Sequence, residues 1–600
     1  VAVRSVRPSL VVRALVVAAL GVPTLVTAAS ADTVSLTSNA PSDLGCAVPS
    51  LTGPAPLEEA LDAGVSATTV RLLNDLTRDE LAHMREDDTS WLDDCGRVFV
   101  VDEAVPERQQ EAVSPVASDE VPADVFGLAS RPSSTRTIYL DFDGATSSGT
   151  RWRNGEQIVS PAYSIDEDRS TFSQTERAQV FQAWRVVAED FAPFDVNVTT
   201  RRPDPSALTR STSSDQAYGI PVVVTPTNSV GESCACGGAA YIGIFGAVGA
   251  TDYQPAWIFT SGSGTGGDNI GQVISHEVGH TFGLSHDGTS ETSYYAGDKG
   301  WAPIMGSSYS RRATHWSSGE YAGADNTEDD VAIISEVAPT LSDDHANGPI
   351  GATRLAAGTP TPGTLTSRTD TDAFTFTADL GTALTVAGPS GYSNIDVQVT
   401  VYDSVGTRVA TIDPTADTAS DASMDATWST MLPTAAGTYT AVVDGVGNGD
   451  PAEPGRYSDF GAIGTYTVGL VTGASAIPTP TPTAPSSPTP TPTPPPTPTP
   501  VPTASAASTT TSATSGRMRF RTTRLPRARV GKAYRAVIAF SGPVTEARVD
   551  WRLPPGLRWR TSGDRIVITG TVRRASHTTF STVLSGDGPS VRHRFRLVAR

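Results

Sequence analysis

Two histidines four residues apart, His276 and His280, are followed by a third, His286. They lie in the run His276-Glu277-Val278-Gly279-His280-Thr281-Phe282-Gly283-Leu284-Ser285-His286-Asp287. Residues four apart on a helix share a face, one turn from each other, so the first two imidazoles can hold one metal ion. Glu277, beside the first, is placed to take a proton from a metal-bound water rather than to bind the metal. Gly283 can adopt the left-handed conformation closed to most residues, ending the helix and swinging His286 back as a third ligand. Three imidazoles and an open fourth position describe catalytic rather than structural zinc. A bare His-Glu-x-x-His arises by chance; the added glycine and third histidine make the pattern far more restrictive.

A methionine-containing stretch, Trp301-Ala302-Pro303-Ile304-Met305-Gly306, follows the third histidine. With the histidine run it resembles the metzincin metallopeptidases, whose methionine turn passes beneath the zinc. Asp287 directly after His286 is most similar to the adamalysin (reprolysin) branch. The resemblance implies an α+β domain, zinc on His276, His280 and His286, Glu277 as general base, and structural roles near the site for Gly283, Met305 and Asp287. It implies too a cleft below an edge strand that pairs with an extended peptide, so that main-chain bonds give affinity without sequence demand; by order, 239–245 is the candidate edge. Tyr309 follows Met305 by four residues. Astacins and serralysins place a ligand tyrosine two after the methionine, so Tyr309 is not assigned to the metal, and His315 reads as structural.

The elements that must position this constellation are legible over 133–338. Thr137 to Phe142 reads as a strand ending in the Asp143-Gly144 turn. Ser173-Gln174-Thr175-Glu176 is a capping box opening a helix whose apolar face is Val180, Trp184, Val187, Ala188 and Phe191. Phe194, Val196 and Val198 alternate as a strand; 220–224, 239–245 and 256–259 supply three more. Asp268 is the expected N-cap of the histidine helix, and a last helix is expected over 328–337, capped by Asn326 or Thr327.

Upstream, Arg4, Arg7 and Arg13 precede an apolar run and Ala29-Ser30-Ala31, the pattern of a signal peptide over 1–31. No later stretch reaches the ~20 apolar residues of a membrane span. The product is therefore expected to be exported. Residues 32–132, with a helix expected over 69–91 and a strand over 97–101, fit a propeptide by position and size. A peptidase must stay silent until exported, and a cysteine thiolate can fill the open zinc position. Cys95-Gly96 is a candidate, without the Pro-Arg-Cys-Gly context of the matrix metallopeptidases. The rival is a Cys46–Cys95 disulfide, suited to an exported chain with four cysteines. Cys234 and Cys236 either close a small ring or stay reduced.

Downstream, 343–472 alternates strand-like runs with turns, as an all-β sandwich does. Asp370-Thr371-Asp372-Ala373-Phe374, Gly437-Thr438-Tyr439 and Tyr457-Ser458-Asp459-Phe460-Gly461 resemble the bacterial pre-peptidase C-terminal domain. Residues 478–503, within a linker over 473–516, are almost pure Pro-Thr, a polyproline-II spacer reaching on the order of 80 Å. The 517–600 tail, with Leu525-Pro526 to Tyr534 and Leu553-Pro554-Pro555-Gly556-Leu557, resembles an Ig-like, dystroglycan-type cadherin domain. The net charge of −20 divides unevenly: the tail holds nineteen Arg and Lys against four Asp and Glu, a net +15, leaving −35 for the rest. In an exported protein a basic tail meets anionic cell-wall polymers rather than nucleic acid; the acidic remainder, including Asp343, Asp344, Asp370 and Asp372, suits structural Ca2+ or plain solubility. The sequence thus predicts a multidomain chain: an α+β metzincin-like domain followed by all-β sandwich modules. Its expected work is hydrolysis of extracellular protein or peptide substrates. The alternative is a surface adhesin with a degenerate peptidase module, against which an intact Glu277 argues.

Overall fold

The computed structural model describes residues 51–600 except 52, 106–119, 167, 228–235, 298–299, 310, 312, 380, 391, 414–425, 430–435, 473–518 and several residues between 523 and 600. The expected signal peptide and Pro-Thr stretch, with Cys46 and Cys234, lie outside the described residues.

The first described segment runs β1 (Ala55–Pro56), α1 (Leu57–Asp62), α2 (Ala67–Asn74), α3 (Arg78–Glu86), β2 (Ser90–Leu92) and β3 (Val98–Glu103). The single helix expected over 69–91 is instead two helices and a strand. Asp75 takes a left-handed backbone (φ 54°) that ends α2, and Thr77 with Glu80 forms a capping box that restarts the chain as α3. Leu57, Val70, Leu81, Met84, Leu92, Val98 and Val100 form a small core that also takes in Ile242 of the central region.

The central region runs β4 (Arg136–Asp141), β5 (Ala145–Ser147), β6 (Ile158–Ser160), α4 (Gln174–Asp190), β7 (Asn197–Thr199), β8 (Tyr218–Thr225), β9 (Cys236–Tyr241), β10 (Ala256–Phe259), α5 (Thr260–Ser263), α6 (Gly267–Phe282), β11 (Trp301–Pro303), β12 (Ala313–His315) and α7 (Asp330–Val337). One eight-stranded sheet has the order β1-β2-β3-β9-β10-β8-β4-β7. Strands β10, β8, β4 and β7 pair in parallel, whereas β9 is antiparallel to β10 and β3 antiparallel to β9. The upstream segment therefore extends the central sheet, and the candidate edge strand β9 is covered by β3.

Helix α4 starts as the sequence predicts: Ser173 accepts from the Glu176 amide and Glu176 returns the bond to the Ser173 backbone. Such a cap is worth about 1 kcal/mol. Helix α6 is buried almost all round, which an isolated amphipathic helix never is. Gly267, Gly271, Ser275 and Gly279, spaced by four, line one face. A Cβ on Gly271 would come within 2.6 Å of Val186 on α4, and one on Gly279 within 2.5 Å of the Met305 sulfur. Glycine inside a helix costs about 1 kcal/mol; here it permits backbone contact with α4 on one side and Met305 on the other. Two caps differ from expectation. Gly266, not Asp268, is the N-cap of α6, and Asp268 sits in the first turn where its charge meets the helix dipole. Helix α7 is capped by Asp329, whose side chain accepts from the Ala332 amide, so it starts later than Asn326 or Thr327 would allow.

Residues 353–471 fold as two facing sheets, one of five strands and one of four, around Phe374, Phe376, Val397, Val399, Tyr439 and Tyr466. This sandwich docks on the central region through polar contacts. Glu189 at the end of α4 accepts from the Thr465 amide at 2.9 Å, and Asp190 accepts from Asn394 Nδ2 at 2.7 Å. Asp190 also accepts from Ser275 Oγ, one residue before His276. Burial pushes both carboxyls up to about 7. A carboxyl raised in this way holds its proton in the fold at a pH where the unfolded chain has lost it. Its contribution to stability is fully present below the unfolded pKa of about 4 and is lost as pH rises through 7. Tm should therefore drop by a few degrees between pH 5 and pH 8, and Glu189→Gln with Asp190→Asn should flatten that drop, as calorimetry across the range will register.

The tail, a separate unit, contains a four-stranded and a three-stranded sheet enclosing Ile538, Ile566, Ile568, Phe595 and Leu597. Among the described residues no helix is long and apolar enough to cross a membrane.

Candidate metal centre and active site

Helix α6 presents His276 and His280 on one face, and Gly283 ends it with φ 117°, its amide donating to the Gly279 and His280 carbonyls. The chain reverses, Leu284 N–H donates to Gly279 O, and His286 returns against the first two rings. The ring centroids lie 4.9 Å (His276–His280), 4.7 Å (His280–His286) and 5.1 Å (His276–His286) apart. Each ring is oriented through Nδ1, which donates to Ile304 O in His276 and to Leu284 O in His280, both at 2.8 Å. In His286 the acceptor is a carboxylate, Asp87 Oδ2, at 2.5 Å. All three Nε2 atoms are thereby left as lone-pair donors pointing to one place.

That place already holds a fourth group. Asp102 on β3 puts Oδ2 at 3.0 Å from His276 Nε2 and 3.7 Å from His280 Nε2, and Oδ1 at 3.2 Å from His286 Nε2. His280 and His286 Nε2 are 3.1 Å apart. A tetrahedron with arms of ~2.05 Å, the zinc–nitrogen length, has edges of ~3.3 Å. Asp102, His276, His280 and His286 each offer one ligand atom within 4.8 Å of the others, a donor set that suits one metal ion.

Glu277 is fully buried and its carboxylate backs onto β9: a Cβ on Gly238 would fall 2.0 Å from Glu277 Oε1. Only glycine leaves room there. Burial, and then the neighbouring Asp102 carboxylate, push the Glu277 pKa well above the ordinary range. Burial lowers His280 to about 4, whereas Asp87 and Asp102 overcome burial at His286 and lift it to about 10. Two buried carboxylates thus face the imidazoles, and a divalent ion held there would supply the positive charge they need.

Met305, fully buried, lies under α6 with its sulfur against Gly279, and its carbonyl accepts from the Asp287 amide at 2.8 Å. Asp287 is thus tied to the methionine turn by its backbone. Burial first, then Glu328, raise the Asp287 carboxyl well above its usual range. His315 is buried and accepts from Trp301 Nε1 at 2.9 Å, away from the three rings, in keeping with a structural role.

Residues 167–317 match the family model Reprolysin_5, metallo-peptidase family M12. This segment is a reprolysin-like M12 metallopeptidase domain. A search of the curated proteins finds no match. Solved structures similar to parts of the chain include the pre-peptidase C-terminal domain of a collagenase from Bacillus anthracis, at 18% identity, covering 21% of this chain and 99% of that one, with a TM-score of 0.14. Titin domain M4 matches at 11% identity over 14% of this chain and 95% of its own, TM-score 0.13. An endo-fucoidan hydrolase of glycoside hydrolase family 107 matches at 20% identity over 14% and 16%, TM-score 0.13. Scores this low carry no argument about the M12 domain or its neighbours.

Cys95, one candidate for the fourth zinc position, is engaged in a disulfide, as is Cys236. The group facing the M12 histidines is the carboxylate of Asp102, seven residues further on. Sequence reading also passed over Asp87 and Tyr294. The Tyr294 ring lies 4.2 Å from that of His286, and its hydroxyl donates to Asp102 Oδ1 at 2.9 Å. Asp87 and Asp102 come from elements some two hundred residues upstream of the histidines, and no local spacing ties them to the motif. The alternation Val98, Val100, Asp102 is the one signal available, since it places a carboxylate in register with two core positions.

Proposed function

We propose that the chain is an exported zinc metalloendopeptidase that hydrolyses peptide bonds of extracellular proteins, with residues 32–132 as its propeptide. The convergence of three Nε2 atoms beside a buried Glu277 carries this reading. Zinc held by His276, His280 and His286 would polarise the scissile carbonyl and acidify a water. Glu277 is positioned to accept that water's proton on a carboxylate oxygen and deliver it to the leaving amine. Strand β9 would bind the substrate backbone by strand addition once its edge is free. Protein freed of residues 1–105 should contain one zinc per chain, lose casein hydrolysis on chelation and regain it with zinc. Hydrolysis undiminished by removal of the metal would end this reading.

The β-sandwich carries a second proposed cation site, for calcium. Asp343, Asp370 and Asp372 bring carboxylate oxygens within 4.8 Å of one another. Asp370 Oδ1 and Asp372 Oδ1 are buried without a hydrogen-bond partner, whereas Asp370 Oδ2 accepts from Thr366 and Asp372 Oδ2 from the Tyr466 hydroxyl. Orphaned, buried carboxylate oxygens are costly, and a hard divalent cation satisfies them. Millimolar calcium should raise Tm by several degrees, and Asp372→Asn should remove that response; equal melting in calcium and chelator would dismiss the site.

The basic tail is proposed to hold the enzyme on anionic cell-wall polymers through its net charge of +15. Retention on isolated walls should fall steeply between low and physiological salt, where screening acts within ~8 Å.

A further inference from the structure

The tail unit gathers part of its charge on one sheet face. Its four-stranded sheet has the order Arg519–Phe520, Ala533–Ser541, Arg565–Thr571, Leu557–Thr561. Alternation gives one face to the core: the Phe520 ring packs on Phe595, and Tyr534, Ala536, Ile538, Ile566 and Ile568 are buried. The residues between them share the opposite face. Antiparallel register sets Arg535 beside Thr569, and Thr569 beside Arg558, in one row. Two rows on, the Arg521 amide donates to Ala539 O, and Ala539 pairs with Arg565. Arg519, opposite Ser541, begins the next row. All five arginines are exposed. None of the four strands contains an aspartate or glutamate, so the sheet brings no carboxylate of its own to this face.

Neighbouring strands lie ~4.8 Å apart and rise ~3.4 Å per residue. Arg535 and Arg558 therefore stand ~10 Å apart, as do Arg521 and Arg565, with ~13 Å between the two rows. A single small anion cannot bridge that frame, whereas a chain with a charge on each repeat can. Between the charged rows the face offers Val537, Ala539 and Thr569, against which uncharged units can lie. A guanidinium presents its donors as a planar fork that takes phosphate oxygens two at a time. We infer that this face binds a linear polymer of phosphodiester-linked units, its phosphates lying across the arginine rows. The inference rests on the reading of the tail as an anchor on wall polymers, and assigns the contact to one of its two sheets. A phosphodiester stays ionised well into acid. It carries its charge in the main chain, where a flat sheet reaches it without a groove.

The test uses the full chain in three forms. One is wild type, and one is a triple variant of the face, Arg521→Gln with Arg535→Gln and Arg558→Gln. The third is a charge-matched variant on strand Val591–Ala599 of the other sheet, Arg592→Gln with Arg594→Gln and Arg596→Gln. Both variants lose three charges, so net charge alone weakens them equally. Polyglycerol phosphate is titrated into each by calorimetry, with poly-glutamate and oligodeoxythymidylate as rival polyanions, and melting curves check that each tail is folded. We expect the face variant to bind polyglycerol phosphate about tenfold more weakly than wild type, and the matched variant within about twofold of it. Wild type should also bind poly-glutamate about tenfold more weakly than polyglycerol phosphate. Equal weakening of the two variants overturns the face and leaves the charged anchor standing. Tighter binding of poly-glutamate or oligodeoxythymidylate than of polyglycerol phosphate overturns the assigned partner. A wild-type chain that binds none of the three, and is not retained on walls at low salt, overturns the anchor as well.

Discussion

Glu277→Gln should keep one zinc per chain and lower peptide hydrolysis by about 10²–10⁴-fold, the usual worth of general acid–base catalysis. The substitution preserves volume in a site where a Cβ on Gly238 would already collide with the carboxylate, so the fold has no steric reason to change. It removes the atom that must accept a proton, and leaves the three imidazoles and their Nδ1 partners in place. The loss should appear in kcat, with KM little altered, because Glu277 acts on the water and not on the peptide backbone along β9. Protein lacking residues 1–105 should be used, so that Asp102 does not mask the difference.

His280→Ala should have the opposite signature in the metal. Two remaining imidazoles hold zinc poorly, so zinc content should fall well below one per chain and hydrolysis to background. Stability should fall too. The ring is fully buried and its Nδ1 donates to Leu284 O across the reversal at Gly283, so the alanine leaves a cavity and an unpaired carbonyl. Losses of this type run to about 2–4 kcal/mol. Plasma emission for zinc, read beside a melting curve, separates this variant from Glu277→Gln, which keeps its metal.

The parts of this site that follow from local spacing were legible in the chain. Four-residue periodicity placed His276 and His280 on one face, and Gly283 forced the turn that returns His286, since φ 117° excludes a side chain. The Ser173–Glu176 capping box fixed the start of α4 because its two hydrogen bonds join residues three apart. Strand positions in the sandwich, such as Thr371–Ala378 and Gly437–Gly445, followed from alternation with one face buried. What distance in sequence conceals was not legible. Asp87 and Asp102 reach the histidines only because β3 joins β9, a pairing that local pattern leaves open. Gly238 looks like any strand glycine until Glu277 is set against it. The caps of α6 and α7 moved by a few residues because several polar side chains stood within one turn, and tertiary packing chose among them.

Three histidines are expected to hold one zinc whose fourth position is for the reacting water. X-ray absorption at the zinc edge, on protein lacking residues 1–105, reads this most directly. Three imidazole nitrogens at ~2.0–2.1 Å and an oxygen completing the shell, with no sulfur, are the expected result. A shell containing thiolate sulfur at ~2.3 Å, or a purified chain holding no zinc at all, would contradict it.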